Sequence, residues 1–291
     1  MTEIVRYATA GGPRVGVRRD GVLRRLEPRE LCELLRLSPA EIEAVVSDAR
    51  ETVTDPHLLP PVDGRTEVWG AGVTYERSRV ARVEESESSD VYDRVYVADR
   101  PELFFKAPAW RVVGDGHPIG IRRDSPLSVP EPELAVWVTA HGVISGYAVC
   151  NDMTSRSIEA ANPLYLPQAK VYRASCALSS GIVPAWEVPD PTALEISCTI
   201  TRAGTAVWQA TTSTATMARS LDELVSWLTA ELDFPDGVIL STGTGIVPEL
   251  DFVLEPGDVV SIDIPGVGSL TNIAQHAPGD DADHGTVAPR D

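Results

Sequence analysis

Short apolar runs broken by turn signals make up most of this chain, and helical patterning is confined to a few short stretches. Residues 4–24 alternate β-rich runs with turns, and Asp20-Gly21 between Val17 and Val22 predicts a hairpin. Ser38-Pro39-Ala40-Glu41 joins an N-cap serine, a first-turn proline and a capping-box glutamate, which predicts a helix start at Ser38. The proline-rich stretch from Asp55 to Gly64 reads as a linker. Beyond it, Leu134 to Thr139 and Val143 to Cys150 flank a His141-Gly142 turn, and Ile196 to Thr201 and Thr205 to Thr211 flank Ala203-Gly204. Ser220-Leu221-Asp222-Glu223 predicts a second capping box, with Leu221, Leu224, Val225 and Leu228 on one apolar helix face. Strands are expected over Val238–Leu240, Val259–Ile264 and Ser269–Ile273. There is no internal repeat. The expected fold class is α+β, mostly antiparallel β. The expected organisation is a small N-terminal α/β module over 1–60, a main domain over 65–276 and a disordered tail over 277–291.

Charge narrows the partners. The 291 residues carry 43 acidic against 25 basic side chains, a net charge of −18, which repels phosphate backbones and anionic lipid heads. Neither a nucleic-acid nor a membrane role is expected. No apolar run approaches the roughly 20 residues that span a bilayer, and MTEIVRYATA lacks a signal pattern, so a cytoplasmic location is expected. Cys32, Cys150, Cys176 and Cys198 are far apart with no CxxC pair, and they read as reduced, buried small hydrophobes. Lysine occurs only at Lys106 and Lys170, and every other basic residue is arginine. A lysine amine can lose its proton where a guanidinium cannot, so these two positions are candidates for amine chemistry. Chance survival is the competing reading.

Glu131 and Glu133, at the start of a predicted strand, point to one face by period-two geometry. Two like charges that close require something positive between them. If the strands pair through His141-Gly142, Asp152 returns to the level of both glutamates. Three hard oxygen donors without a nearby His or Cys suit Mg²⁺ or Mn²⁺ better than Zn²⁺. A solvated acidic edge strand fits the same spacing. Gly243-Thr244-Gly245 offers backbone donors and hydroxyls to an anion, or is a plain turn. Arg77, Arg79 and Arg82 could guide a carboxylate, or pair with Glu84 and Glu85 on a solvated face. There is no dinucleotide fingerprint, Walker loop or nucleophile elbow, and the five histidines form no ligand cluster.

Taken together, Gly70-Ala71-Gly72-Val73-Thr74-Tyr75, Leu103-Phe104-Phe105-Lys106, Glu131-Pro132-Glu133-Leu134, Gly146-Tyr147 through Asn151-Asp152-Met153-Thr154-Ser155-Arg156, Gln168-Ala169-Lys170, Thr242-Gly243-Thr244-Gly245 and Pro256-Gly257-Asp258 resemble the fumarylacetoacetate hydrolase superfamily over residues 65–273. The resemblance implies a mixed β-roll, one divalent metal on Glu131, Glu133 and Asp152, and a homodimer or homotetramer. Hydrolases of the superfamily usually carry a His–Glu water-activating pair, and here those positions fall at Ser78 and Ala81. Thr74-Tyr75-Glu76-Arg77-Ser78-Arg79, Arg100 to Lys106, Asn162 to Lys170 and Thr242 to Pro248 look more like the branch of 2-keto-3-deoxy sugar acid dehydratases. That closer resemblance implies Mg²⁺-dependent loss of water from a 2-keto-3-deoxy acid through a metal-stabilised enolate. It further implies Lys170 and Glu102 as the acid/base pair, with Thr244, Lys106, Tyr75, Ser78, Arg77 and Arg156 as substrate-binding candidates. Ser157 and Arg173 depart from it, each standing where an acid is usual, and an arginine close to the metal would alter substrate polarity. Hydrolysis of a C–C bond or decarboxylation at the same metal is the alternative enzyme, and a non-catalytic ligand-binding domain is the second alternative.

Overall fold

The computed structural model describes residues 1–85, 94–250 and 252–276, residues 81–85 by their backbone alone. The expected tail from 277 onward, and the Arg82, Glu84 and Glu85 side chains, lie outside the described residues.

Among the described residues there are two large sheets and a two-stranded one, Ser128–Val129 with Thr154–Ser155, and most of the ladders are antiparallel, as the short alternating runs predict. The larger is continuous from the N-terminal strands Val22–Arg25, Arg14–Arg19 and Thr2–Ala8, through Gly181–Pro184, to Ile144–Asp152 and Pro132–Val138, then Val238–Ser241, Glu67–Gly72 and Glu102–Pro108. Two ladders are parallel: Val238–Ser241 on Glu67–Gly70, and Ala274–His276 on Ile119–Ile121. The second sheet holds Thr205–Ser213, Glu195–Arg202, Val259–Ile264, Gly268–His276 and Ile119–Ile121.

Pro132–Val138 is buried at every position because the central sheet is covered on both faces. Leu134, Val136 and Val138 meet the second sheet and the helix Leu221–Thr229. Ala135 and Trp137 face the other way, toward Leu31, Leu34, Leu35, Ile42 and Val46 of the N-terminal helices. The predicted turns hold. Asp20-Gly21 has positive φ at both residues, as a tight hairpin requires. The Ser38 capping box forms in both directions. At Ser220 only half of it forms: Ser220 accepts from the Glu223 N–H, while the Glu223 carboxylate is taken by Arg219 at 2.6 Å.

Residues 55–64 differ from the linker expectation. His57–Leu59 pairs with Arg6–Ala8, and the Asp63 carboxylate accepts from the Leu31 and Cys32 N–H groups at 2.8 and 3.0 Å. It therefore satisfies the orphan donors that open the helix Leu31–Leu35. Local patterning could not reveal this, since both contacts are long-range.

Asp236 ties the two ends of this face together. Its carboxylate, 4% exposed, accepts from Arg36 and Arg65, and its carbonyl accepts from Thr66. The Arg65 hydrogen bond, then that of Arg36, holds the Asp236 carboxyl below its ordinary range. Asp236→Ala is expected to destabilise the protein by about 1–3 kcal/mol, the usual worth of hydrogen bonds to a charged group, and by no more because both exposed guanidinium groups can turn to solvent. Since the folded state depresses this pKa, the contribution is present above the unfolded value of about 3.9 and fades as pH falls through the folded one. Thermal melts of wild type and variant should differ at pH 7, and the difference should shrink as pH falls below about 3.9.

Candidate metal and acid–base site

The hairpin predicted through His141-Gly142 forms in a register that pairs Glu133 with Cys150 and Pro132 with Asn151. The Asp152 N–H donates to the Glu131 carbonyl at 2.9 Å, so Asp152 lies level with both glutamates. One oxygen from each of Glu131, Glu133 and Asp152 lies within 4.8 Å of the others, and all three residues are buried. That rules out a solvated acidic edge. Burial first, then the charges of Asp152, Cys150 and Glu131, raises the Glu133 carboxyl well above its ordinary range, with Lys170 offsetting part. Three buried carboxylates without enough positive charge form the donor set a hard divalent cation requires.

The two lysines converge here. Lys170 Nζ, at the end of the short helix Leu166–Lys170, donates to Glu131 Oε2 (2.6 Å), Asp152 Oδ2 (3.0 Å) and Thr154 Oγ1 (2.7 Å). It also lies 5.3 Å from the centre of the Phe104 ring. Lys106 Nζ reaches Asp152 from the other side.

Glu102, Glu131, Glu133, Lys170, Ser78 and Thr244 line one cavity, together with Val73, Phe104, Leu166 and Val247. Glu102 sits over Gly72, where a Cβ would meet its Oε2 at 2.0 Å, so only glycine allows this approach. Val73 holds φ +52°, a left-handed conformation unusual for a β-branched residue and costing about 1–3 kcal/mol. The Gly243 loop serves the acid itself: Ser241 Oγ and the Gly243 N–H donate to Glu133 Oε2 at 2.5 and 2.8 Å. Gly243 has φ +93°, and a Cβ there would meet Thr74 Oγ1 at 2.0 Å. The Thr244 hydroxyl faces the cavity while bonding the Pro132 and Ile246 backbone.

Other candidates stand outside the cavity wall. Arg77 is exposed on the helix Glu76–Glu85. Tyr75 is buried, its ring edge packed where a side chain on Gly245 would fall. Arg156 is buried and donates to the Pro248 and Glu249 carbonyls, so it tethers the loop after Gly245. Arg173 is exposed on a turn and does not line that cavity; its carbonyl lies against Gly120. Ser157 joins Ser125 and Ser155 in a hydroxyl cluster with 2.7 Å contacts. Glu159, buried on the helix Arg156–Ala161, is a wall residue that sequence reasoning missed. Its spacing of three from Arg156 and seven from Asp152 was the available signal.

Residues 67–274 match the family described as fumarylacetoacetate (FAA) hydrolase C-terminal, and the chain belongs to that family. Among its relatives, a probable 2-keto-3-deoxyxylonate dehydratase of Haloferax volcanii is 50% identical over 228 residues, 78% of this chain and 77% of the relative. The 2-dehydro-3-deoxy-D-arabinonate dehydratase of Saccharolobus solfataricus is 41% identical over 222 residues, 75% of this chain and 74% of that one. A solved 2-keto-3-deoxy-D-arabinonate dehydratase complexed with magnesium and 2,5-dioxopentanoate superposes with a TM-score of 0.80 at 33% identity, covering 96% of this chain and all of that one.

Proposed function

We propose that this protein is a Mg²⁺-dependent dehydratase of a 2-keto-3-deoxy sugar acid. The observation that carries the reading is the position of Lys170 Nζ, within hydrogen-bond distance of two triad carboxylates and in the same cavity wall as Glu102. The relatives' activities on 2-keto-3-deoxy pentonates support it. Glu131, Glu133 and Asp152 would hold the ion, which supplies Lewis-acid stabilisation of the negative charge that develops on the C2 oxygen of a 2-keto acid. Lys170 takes the C3 proton, and Glu102 gives a proton to the departing C4 hydroxyl. The C3–H and C4–O bonds break, a C3–C4 double bond forms, and water leaves. Val73, Phe104, Leu166 and Val247 supply the apolar wall that limits water around these groups. Thr244 lines the cavity and fixes the Pro132 and Ile246 backbone beside the carboxylates.

Ser78, where hydrolases of the family carry histidine, has its hydroxyl engaged by the Tyr75 backbone, which favours elimination over hydrolysis. The test is a panel of 2-keto-3-deoxy acids assayed with Mg²⁺, with and without EDTA. The expected result is Mg²⁺-dependent turnover to a product that keeps every carbon. Two fragments would replace this reading with C–C cleavage or decarboxylation, and no turnover of any 2-keto acid would leave a ligand-binding domain.

The location is read as cytoplasmic; among the described residues no helix is long and apolar enough to cross a membrane. A homodimer or homotetramer is expected. Exposed Trp110 and Leu164, 79% and 84% accessible in the single chain, support association. Light scattering on the eluted protein tests it.

A further inference from the structure

Lys106 touches the site from behind the cavity wall. The ladder between Glu67–Gly72 and Glu102–Pro108 slips by one residue at this point. Val68 pairs with Ala107 and Trp69 with Phe105, which leaves Lys106 without a cross-strand partner. A bulge of this kind re-aims the side chain it carries. The Lys106 side chain is 0% exposed. Its Nζ donates to the Met153 carbonyl at 2.9 Å and the Lys170 carbonyl at 2.6 Å, and forms an ion pair with Asp152 Oδ1. An ammonium has three donors and no acceptor. Two carbonyls and a carboxylate surround this one, and Lys106 does not line the cavity as Lys170 does, so its ammonium serves the protein's own groups and not a substrate oxygen.

We infer that Lys106 is a positioning residue that orients the metal ligand Asp152 and the backbone of the proposed base Lys170 at the same time. The two carboxylate oxygens of Asp152 are divided between the lysines, Oδ1 to Lys106 and Oδ2 to Lys170 beside Glu131. Without Lys106, Asp152 loses the partner that turns its second oxygen toward the triad. The Lys170 carbonyl, at the end of a helical turn, would lose this charged donor and keep the neutral Ser175 hydroxyl. Compact acceptors converging on one point suit an ammonium and not a planar guanidinium. That accounts for a lysine persisting here in an arginine-rich chain.

The inference rests on the metal site and not on which acid is consumed, so its test omits substrate. Mg²⁺ is titrated calorimetrically into the full-length, metal-free protein. Lys106→Met, and Lys106→Gln as a milder variant, are expected to weaken Mg²⁺ binding about 10- to 100-fold, the usual effect of losing a partner that orients a ligand. Asp236→Ala, which destabilises the fold far from the triad, is expected to bind Mg²⁺ within twofold of wild type. A folded Lys106→Met with wild-type Mg²⁺ affinity overturns the inference, as does an equal loss in Asp236→Ala. If Lys106→Met unfolds, recovery by saturating Mg²⁺ supports the assignment. Failure of both Lys106 variants to fold even in Mg²⁺ makes Lys106 a purely structural residue and overturns it. A dehydratase assay that fails while the Mg²⁺ titration behaves as expected would overturn only the proposed reaction.

Discussion

Replacing Lys170 by Met is expected to lower turnover of the 2-keto-3-deoxy acid by at least ~10²–10⁴-fold, the usual contribution of a positioned acid–base group. Lys170→Arg keeps the positive charge but holds its proton at any accessible pH, so it should be similarly inactive. This pair separates proton transfer from electrostatics. If Lys170 serves only to offset the carboxylates, Arg restores activity and Met does not. The Met variant also removes the ammonium lodged between Glu131 and Asp152. Its metal-free form should therefore melt earlier than wild type, with Mg²⁺ closing the gap, because an uncompensated buried charge is costly. Circular dichroism in Mg²⁺ verifies the fold before turnover is compared. Near wild-type turnover in folded Lys170→Met would remove this residue from the mechanism.

Glu133→Gln is expected to cost at least ~10³-fold in turnover. Lewis-acid stabilisation is worth several kcal/mol, and about 4 kcal/mol corresponds to that factor. The same variant carries a pH signature. Burial holds the Glu133 proton more tightly in the folded protein than in the unfolded chain. A raised folded pKa contributes stability that is complete below the unfolded value of about 4.3 and is lost as pH rises through the folded value. The metal-free wild type should thus lose melting temperature as pH rises above about 4.3, and Glu133→Gln should lose less. Mg²⁺ must displace that proton to bind, so its apparent affinity should rise with pH over the same window. Calorimetry at pH 6 and pH 8 that finds no gain would show that Glu133 is already ionised in the metal-free site.

The acidic core of the site was legible because it depends on one hairpin. Period two puts Glu131 and Glu133 on one face, and a His141-Gly142 turn places Asp152 beside them. Sequence, charge and turn chemistry also dictated the mostly β character, the Ser38 capping box and two lysines set apart from the arginines. Other features were not legible, for particular reasons. Asp63 caps a helix 31 and 32 residues before it. Arg156 bonds carbonyls more than 90 residues away. Lys106 turns inward at a bulge with no signature in its own neighbourhood. Glu159 enters the cavity wall only because its short helix packs beside the one bearing Lys170. Patterning and turn residues act through neighbours in the chain, so they specify which strands form and what faces their ends. Which distant segment closes over those ends, and whether a charge there meets substrate, metal or a backbone carbonyl, was decided by long-range packing, where burial forces each polar group to find a partner.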